Sequence, residues 1–174
     1  KEGDMVLPVA LDNGFEIPYF CYHKDLAKGG SCMACLVEVN DPKRGKWVTT
    51  SCNLRIKDGM EITLDTPEVK KLRKQNMEML FGGHLHSCDI HNNYACRMEN
   101  VFKKYNVDDT KYERKEAEED PFIKFNNAIE LDTALCIGCT RCVKACESVG
   151  IGYVVMDEDS KKRRVINNKD PKVD

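Results

Sequence analysis

Gly30-Ser31-Cys32-Met33-Ala34-Cys35-Leu36-Val37-Glu38-Val39 is the stretch that decides the fold. Its first half is small, polar and cysteine-bearing, the composition of a loop that bends tightly, and glycine supplies the backbone freedom for the bend. Its second half alternates and carries β-branched residues, which reads as a strand. Asn40-Asp41-Pro42-Lys43-Arg44-Gly45 is turn chemistry, and Trp47-Val48-Thr49-Thr50 resumes the extended pattern, so residues 36–50 are predicted to form a β-hairpin. Cys32 and Cys35 enter this hairpin and Cys52 leaves it, while Cys21 lies at the upstream end of the same Gly-rich loop.

Outward from the hairpin, residues 5–20 read as a short apolar helix ending at Asn13-Gly14. Glu61-Ile62-Thr63-Leu64 is a further strand. Thr66 is the N-cap and Pro67 the first position of a helix that runs to about Phe81, with Val69, Leu72, Asn76, Met79 and Leu80 at helical spacing, and stops at Gly82-Gly83. After a His/Cys loop over 84–96, Met98, Val101, Phe102 and Tyr105 mark a second short helix. Residues 106–120 are mostly charged and read as a solvated linker. Lys161-Lys162-Arg163-Arg164 is expected to be an exposed turn between strands at 153–156 and 164–166.

The composition narrows the function classes. The chain has 174 residues, enough for one ordinary domain or two small ones. A formal charge of −2 lacks the basic excess of a nucleic-acid binder, so no nucleic-acid partner is expected. No run of about 18 apolar residues occurs, so no direct membrane span is expected. The ten cysteines fall in clusters with repeated C-x2-C steps, which points to metal or redox chemistry in a reducing compartment rather than to disulfide staples.

Three constellations carry that chemistry. The first is Cys21-x10-Cys32-x2-Cys35-x16-Cys52, three thiolates on one glycine-containing loop and a fourth from beyond a strand. It resembles the three-plus-one arrangement of plant-type [2Fe–2S] ferredoxins. The competing reading is structural zinc, which usually takes two short C-x2-4-C pairs where this set has one. The last is Cys136-x2-Cys139-x2-Cys142-x3-Cys146, the bacterial ferredoxin run, although Glu147 stands where a proline usually follows the fourth cysteine. In that run three cysteines hold one [4Fe–4S] cubane and the fourth ligates another, so Cys146 is expected to point at a second cubane. The middle group gathers His84, His86, Cys88, His91 and Cys96 within thirteen residues, and imidazole with thiolate suits zinc or iron. There is no G-x-G-x-x-G after a strand, no Ser/His/Asp set and no paired carboxylates, so no catalytic residue is assigned.

Phe15-Glu16-Ile17-Pro18-Tyr19-Phe20-Cys21-Tyr22-His23, the 30–39 stretch and Cys136-Ile137-Gly138-Cys139-Thr140-Arg141-Cys142-Val143-Lys144-Ala145-Cys146 together resemble one family arrangement, over nearly the whole chain. It is the N-terminal iron–sulfur region shared by the complex I large iron–sulfur subunit, NAD(P)-linked iron-only hydrogenases, NAD-dependent formate dehydrogenases and the diaphorase small subunit of NAD-reducing hydrogenases. The resemblance implies an α+β chain: a β-grasp [2Fe–2S] ferredoxin domain at 1–66, a helical His/Cys metal segment at 67–105, a charged linker at 106–125 and the start of a bacterial-ferredoxin-like [4Fe–4S] domain at 126–174. It implies an electron relay between a flavin/NAD(P)H-oxidising subunit and a second redox subunit or ferredoxin, in the cytoplasm or the matrix of a mitochondrion-related organelle.

The chain departs from that pattern in three places. The family's middle site reads H-x3-C-x2-C-x5-C, whereas His91 replaces its middle cysteine and Cys96 comes one residue early. A His-ligated [4Fe–4S] cluster is the first expectation there and zinc the second, since two His and two Cys satisfy tetrahedral zinc. The first strand pair of the ferredoxin fold is missing before Lys1, and a second cysteine run is expected beyond Asp174, so the resemblance implies a longer chain. Ten cysteines, less four for [2Fe–2S] and two for the middle site, leave four for two cubanes that need eight. The rival from another class is a metal-stabilised structural adaptor that docks catalytic subunits; a soluble ferredoxin shuttle is a third reading, disfavoured by the balanced charge. At the middle site, a cubane predicts anomalous scattering at the iron edge within bonding distance of Cys88, and a zinc-edge signal alone would replace it with the tetrahedral site.

Overall fold

The computed structural model describes residues 1–27, 29–84, 96–113, 122–125, 129–156 and 165–167, the last three as backbone only. The order is α1 (Val6–Asp12), β1 (Leu36–Asp41), β2 (Gly45–Thr50), a 3-10 turn (Ser51–Asn53), β3 (Glu61–Thr63), α2 (Pro67–Gly82), α3 (Arg97–Lys104), β4 (Phe122–Lys124), β5 (Glu130–Asp132), α4 (Arg141–Ser148), β6 (Val154–Met156) and β7 (Val165–Asn167). The first sheet is antiparallel in the order β2-β1-β3, and β4-β5 and β6-β7 form two further antiparallel pairs. The protein is therefore a mixed helix-and-sheet fold with antiparallel strands.

β1 is central, and its inward residues Val37 and Val39 are fully buried. They pack with Leu7 of α1, Ile17, Cys35 and Cys52, while Trp47 and Ile62 close the edges. α1 is tied to the same unit by Val6 N–H donating to Leu54 O at 2.9 Å. α2 begins as its sequence dictates: the Thr66 hydroxyl accepts from Val69 N–H at 3.2 Å and Pro67 occupies the first turn, where a missing N–H costs nothing. Val69, Arg73 and Met77, four residues apart, form the buried stripe of α2. α3 packs on α2 through Phe81 and Phe102, whose rings meet edge-to-face at 5.5 Å. It is fixed to the loop before Cys21 by Arg97 stacked over Tyr19 and by Lys104 donating to Glu16.

Two departures from the sequence expectation matter. Val107, inside the stretch read as a solvated linker, is buried and joins Phe20, Cys21, Cys32, Ala34, Met77 and Phe102 in one core cluster. β4 (Phe122–Lys124) also lies within the 106–125 linker that the resemblance implies, paired with β5; alternation over three residues is too short a signal to read. Most of the linker's charged run (114–121) and the expected Lys161–Arg164 turn lie outside the described residues.

Arg73 is only 1% exposed, yet its whole fork is used. Nε and Nη2 donate to Leu36 O at 3.0 and 2.5 Å, Nη1 donates to Tyr105 Oη at 3.0 Å, and Asp65 approaches at 3.6 Å. The guanidinium thus joins α2, β1 and the end of α3 at one point. Arg73→Met fills similar volume but leaves the Leu36 carbonyl without these donors. A loss of about 3 kcal/mol is expected in urea unfolding, and a loss under about 0.5 kcal/mol would show that the fork is idle.

Candidate functional site

The first cysteine set is assembled by the hairpin. Leu36 pairs with Thr50, so the residues just outside this pair, Cys35 and the 51–53 turn, lie at the same end of the sheet. Ser51 secures that junction by donating both its N–H, at 2.9 Å, and its hydroxyl, at 2.8 Å, to Cys35 O. Cys21, Cys32, Cys35 and Cys52 are all buried. Their thiols meet pairwise: Cys21 with Cys32 and with Cys52, and Cys35 with Cys52.

The electrostatics follow from those contacts. The Cys21 thiol is held far below the ordinary thiol range because Cys32 and Cys52 donate to it, as does Gly30 N–H at 3.2 Å. Cys35 is lowered to about 7, first by the hydrogen bond from Cys52. Cys32 and Cys52, the donors, are pushed well up, and burial adds to the same direction. Hydrogen bonds among the four buried thiols thus lower Cys21 and Cys35 and raise Cys32 and Cys52.

The loop around them is shaped by what glycine lacks. A Cβ on Gly29 would stand 3.0 Å from Cys21 Sγ and 3.3 Å from Cys52 Sγ. Gly30 has φ +112°, and a Cβ there would meet Asn53 Nδ2 at 2.4 Å. Asn53 Nδ2 in turn donates to Gly29 O at 3.4 Å. Met33 adopts φ +48° between Cys32 and Cys35, completing the wrap. This buried, all-thiol donor set with a backbone N–H aimed at sulfur fits an iron–sulfur group. Among the described residues no three His, Cys, Asp or Glu side chains are grouped as ligands of one metal ion.

The second set lies on the turn into α4. Gly138 and Thr140 both have positive φ, +63° and +62°, which folds residues 136–142 back on themselves. Gly138 N–H donates to Cys136 Sγ at 3.4 Å. The Cys142 thiol is pushed up first by desolvation and then by the nearby Cys139 and Cys136 sulfurs, although the residue as a whole is exposed. The Cys146 sulfur accepts from Tyr153 N–H at 3.1 Å and Val154 N–H at 3.4 Å, and Cys146 packs with Cys136 on the cluster of Phe125, Val143 and Val154. Ile137 and Cys139 pack instead on the core that contains Cys21 and Cys32.

Of the middle group, His84 follows the end of α2 and Cys96 is the N-cap residue of α3. His86, Cys88 and His91 lie outside the described residues. Sequence reasoning missed Ser51, Asn53, Arg73 and Arg141, whose roles depend on partners 16 to 119 positions away. Only Arg141, inside the Cys-Thr-Arg-Cys step, carried a local hint.

This geometry fits a cysteine site of the ferredoxin type. Residues 1–67 match the family model described as a 2Fe-2S iron-sulfur cluster binding domain, and this part of the chain is a member of that domain family. More particularly, the chain is similar to parts of NADH-quinone and NADH-ubiquinone oxidoreductase subunits. It is 34% identical over 154 residues to the NADH-ubiquinone oxidoreductase 75 kDa subunit of Reclinomonas americana, covering 87% of this chain and 22% of the relative. It is 32% identical over 151 residues to a subunit of the NADH-quinone oxidoreductase of Rickettsia prowazekii, covering 86% of this chain and 22% of the relative. It is also 30% identical over 178 residues to the probable oxidoreductase YjgC of Bacillus subtilis, covering 98% of this chain and 17% of that protein. The chain thus spans about a fifth of the length of these relatives. In fold it is similar to a crystal structure of NAD+-reducing [NiFe]-hydrogenase in the H2-reduced state, with TM-score 0.82 and 24% identity over 95% of this chain and 69% of that one.

Gly30→Ala is expected to destabilise the loop by roughly 1–3 kcal/mol through its φ alone, with the Asn53 contact added. Adding Asn53→Ala should recover only the steric part, read as urea midpoints. Full recovery by the double variant would show that the backbone angle is not the constraint.

Proposed function

We propose that the chain is an iron–sulfur electron-relay module of an NAD(P)H-linked oxidoreductase. Cys21, Cys32, Cys35 and Cys52 would hold [2Fe–2S]. Cys136, Cys139 and Cys142 would hold a [4Fe–4S] cubane, and Cys146 would serve a neighbouring one. His84 or His86, with Cys88, His91 and Cys96, would hold the middle cluster, with zinc as the other candidate. The observation that carries this reading is that the two described cysteine sets share one core, since Cys139 packs on the cluster containing Cys21 and Cys32. The partners would be a flavin/NAD(P)H-oxidising subunit on one side and a second redox subunit or ferredoxin on the other. Every described cysteine is a free thiol, which suits a reducing cytoplasm or organelle matrix. Among the described residues no helix is long and apolar enough to cross a membrane.

When bound, such clusters supply one-electron storage, at about −400 mV for a plant-type centre. The chain's own residues do the rest. Phe20, Ala34, Met77 and Phe102 exclude water around Cys21 and Cys32. The N–H groups of Gly30, Gly138, Tyr153 and Val154 donate to sulfur and stabilise added negative charge there. Ser51 fixes Cys35 relative to Cys52 so that the thiols do not reorganise.

The test is spectroscopic. The protein should absorb in the visible, bleach with dithionite and give a rhombic EPR signal that persists at relatively high temperature. Cys52→Ala should abolish that signal while leaving the cubane signals. Its survival unchanged in the variant would overturn the assignment, and colourless iron-free protein would overturn the relay.

A further inference from the structure

Arg141 lies at the start of α4, immediately before Cys142. Its Nη2 reaches across 119 residues of chain and donates at 2.5 Å to the carbonyl of Tyr22, which follows Cys21. Beside it, Thr140 is buried at φ +62° and its hydroxyl lies 3.5 Å from that of Ser31, which precedes Cys32. Both polar contacts therefore join the turn carrying the second cysteine set to the loop carrying the first. Arg141 Nε is buried and has no hydrogen-bond partner among the described residues. A buried N–H is normally paired, so one that is not calls for an acceptor or a redox role.

We propose that Arg141 is a positioning residue that clasps the two cysteine loops at a fixed separation and places a permanent positive charge between the redox centres they hold. The proposal rests on the relay reading above. Guanidinium is suited to both tasks. It stays protonated at every relevant pH, and its planar fork presents several donors in fixed directions. One arm grips Tyr22 while the Nε–H remains for a second acceptor. The charge favours an added electron at either centre. For a unit charge at roughly 10 Å and an effective dielectric near 20, the reduced-to-oxidised ratio changes on the order of tenfold. Lysine would keep the charge but, as a single point donor on a flexible stem, would not keep the clasp.

Redox titration followed by EPR, on the whole chain and on its Arg141→Gln and Arg141→Lys variants, tests this, with iron counted in each. Wild type should show both centres, broadened by their magnetic interaction when both are reduced. Arg141→Gln should keep its iron, lose that broadening and lower the reduced-to-oxidised ratio of the [2Fe–2S] centre on the order of tenfold at a fixed ambient potential. Arg141→Lys should hold the ratio within about twofold yet also lose the broadening. Unchanged broadening and ratio in Arg141→Gln would overturn the proposal while the relay stands. Absence of the two centres from wild type would overturn both. If Arg141→Gln fails to retain iron, Arg141→Lys decides alone: wild-type broadening in it would overturn the clasp.

Discussion

Leu36 stands opposite Thr50 at the open end of the β1–β2 hairpin, and the site is built on that register. One strand of the pair enters from Cys35 and the other exits toward Cys52, so sheet hydrogen bonding alone brings together two thiols that are 17 positions apart. A slip of one residue would reverse the facing of Val37 and Val39 and move Cys35 away from Ser51. The register is over-determined, because the valines need the core and Ser51 needs the Cys35 carbonyl. Cys21 and Cys32 are then brought in by a loop whose shape is set by what glycine lacks at 29 and 30. α2 and α3 complete the enclosure by laying Met77 and Phe102 against the outer side of the same loop.

Much of this was legible because the signals were local. The hairpin announced itself through β-branched alternation around Asp41-Pro42, and α2 through Thr66-Pro67 and Gly82-Gly83. Cysteine spacing marked both described thiol sets. What escaped the sequence was long-range. Val107 sits in a charged run, so its neighbours hid its burial. Arg73 lies on a helix rich in lysine and glutamate, where an arginine reads as solvated. Only the arrival of Leu36 O and Tyr105 Oη makes it a core residue. The short strands β4 and β5 owe their existence to pairing with each other rather than to propensity. The middle His/Cys group is legible as chemistry, with His86, Cys88 and His91 outside the described residues.

Arg73 and Arg141 solve one problem in the same way. Four buried cysteines that held a cluster as proposed would give up their protons and concentrate negative charge where water cannot screen it. The chain meets that charge with two arginines. It places each guanidinium on the carbonyl of the residue that follows a cysteine: Leu36 after Cys35, and Tyr22 after Cys21. Lysine would serve poorly here, because burial would tend to strip its proton and its single head group cannot span two partners. Desolvating a guanidinium is costly, which argues against stability alone as the reason for either residue. The arrangement is better understood as fixing two cysteine-bearing peptides in place, which in the proposed relay would limit their movement when an electron arrives.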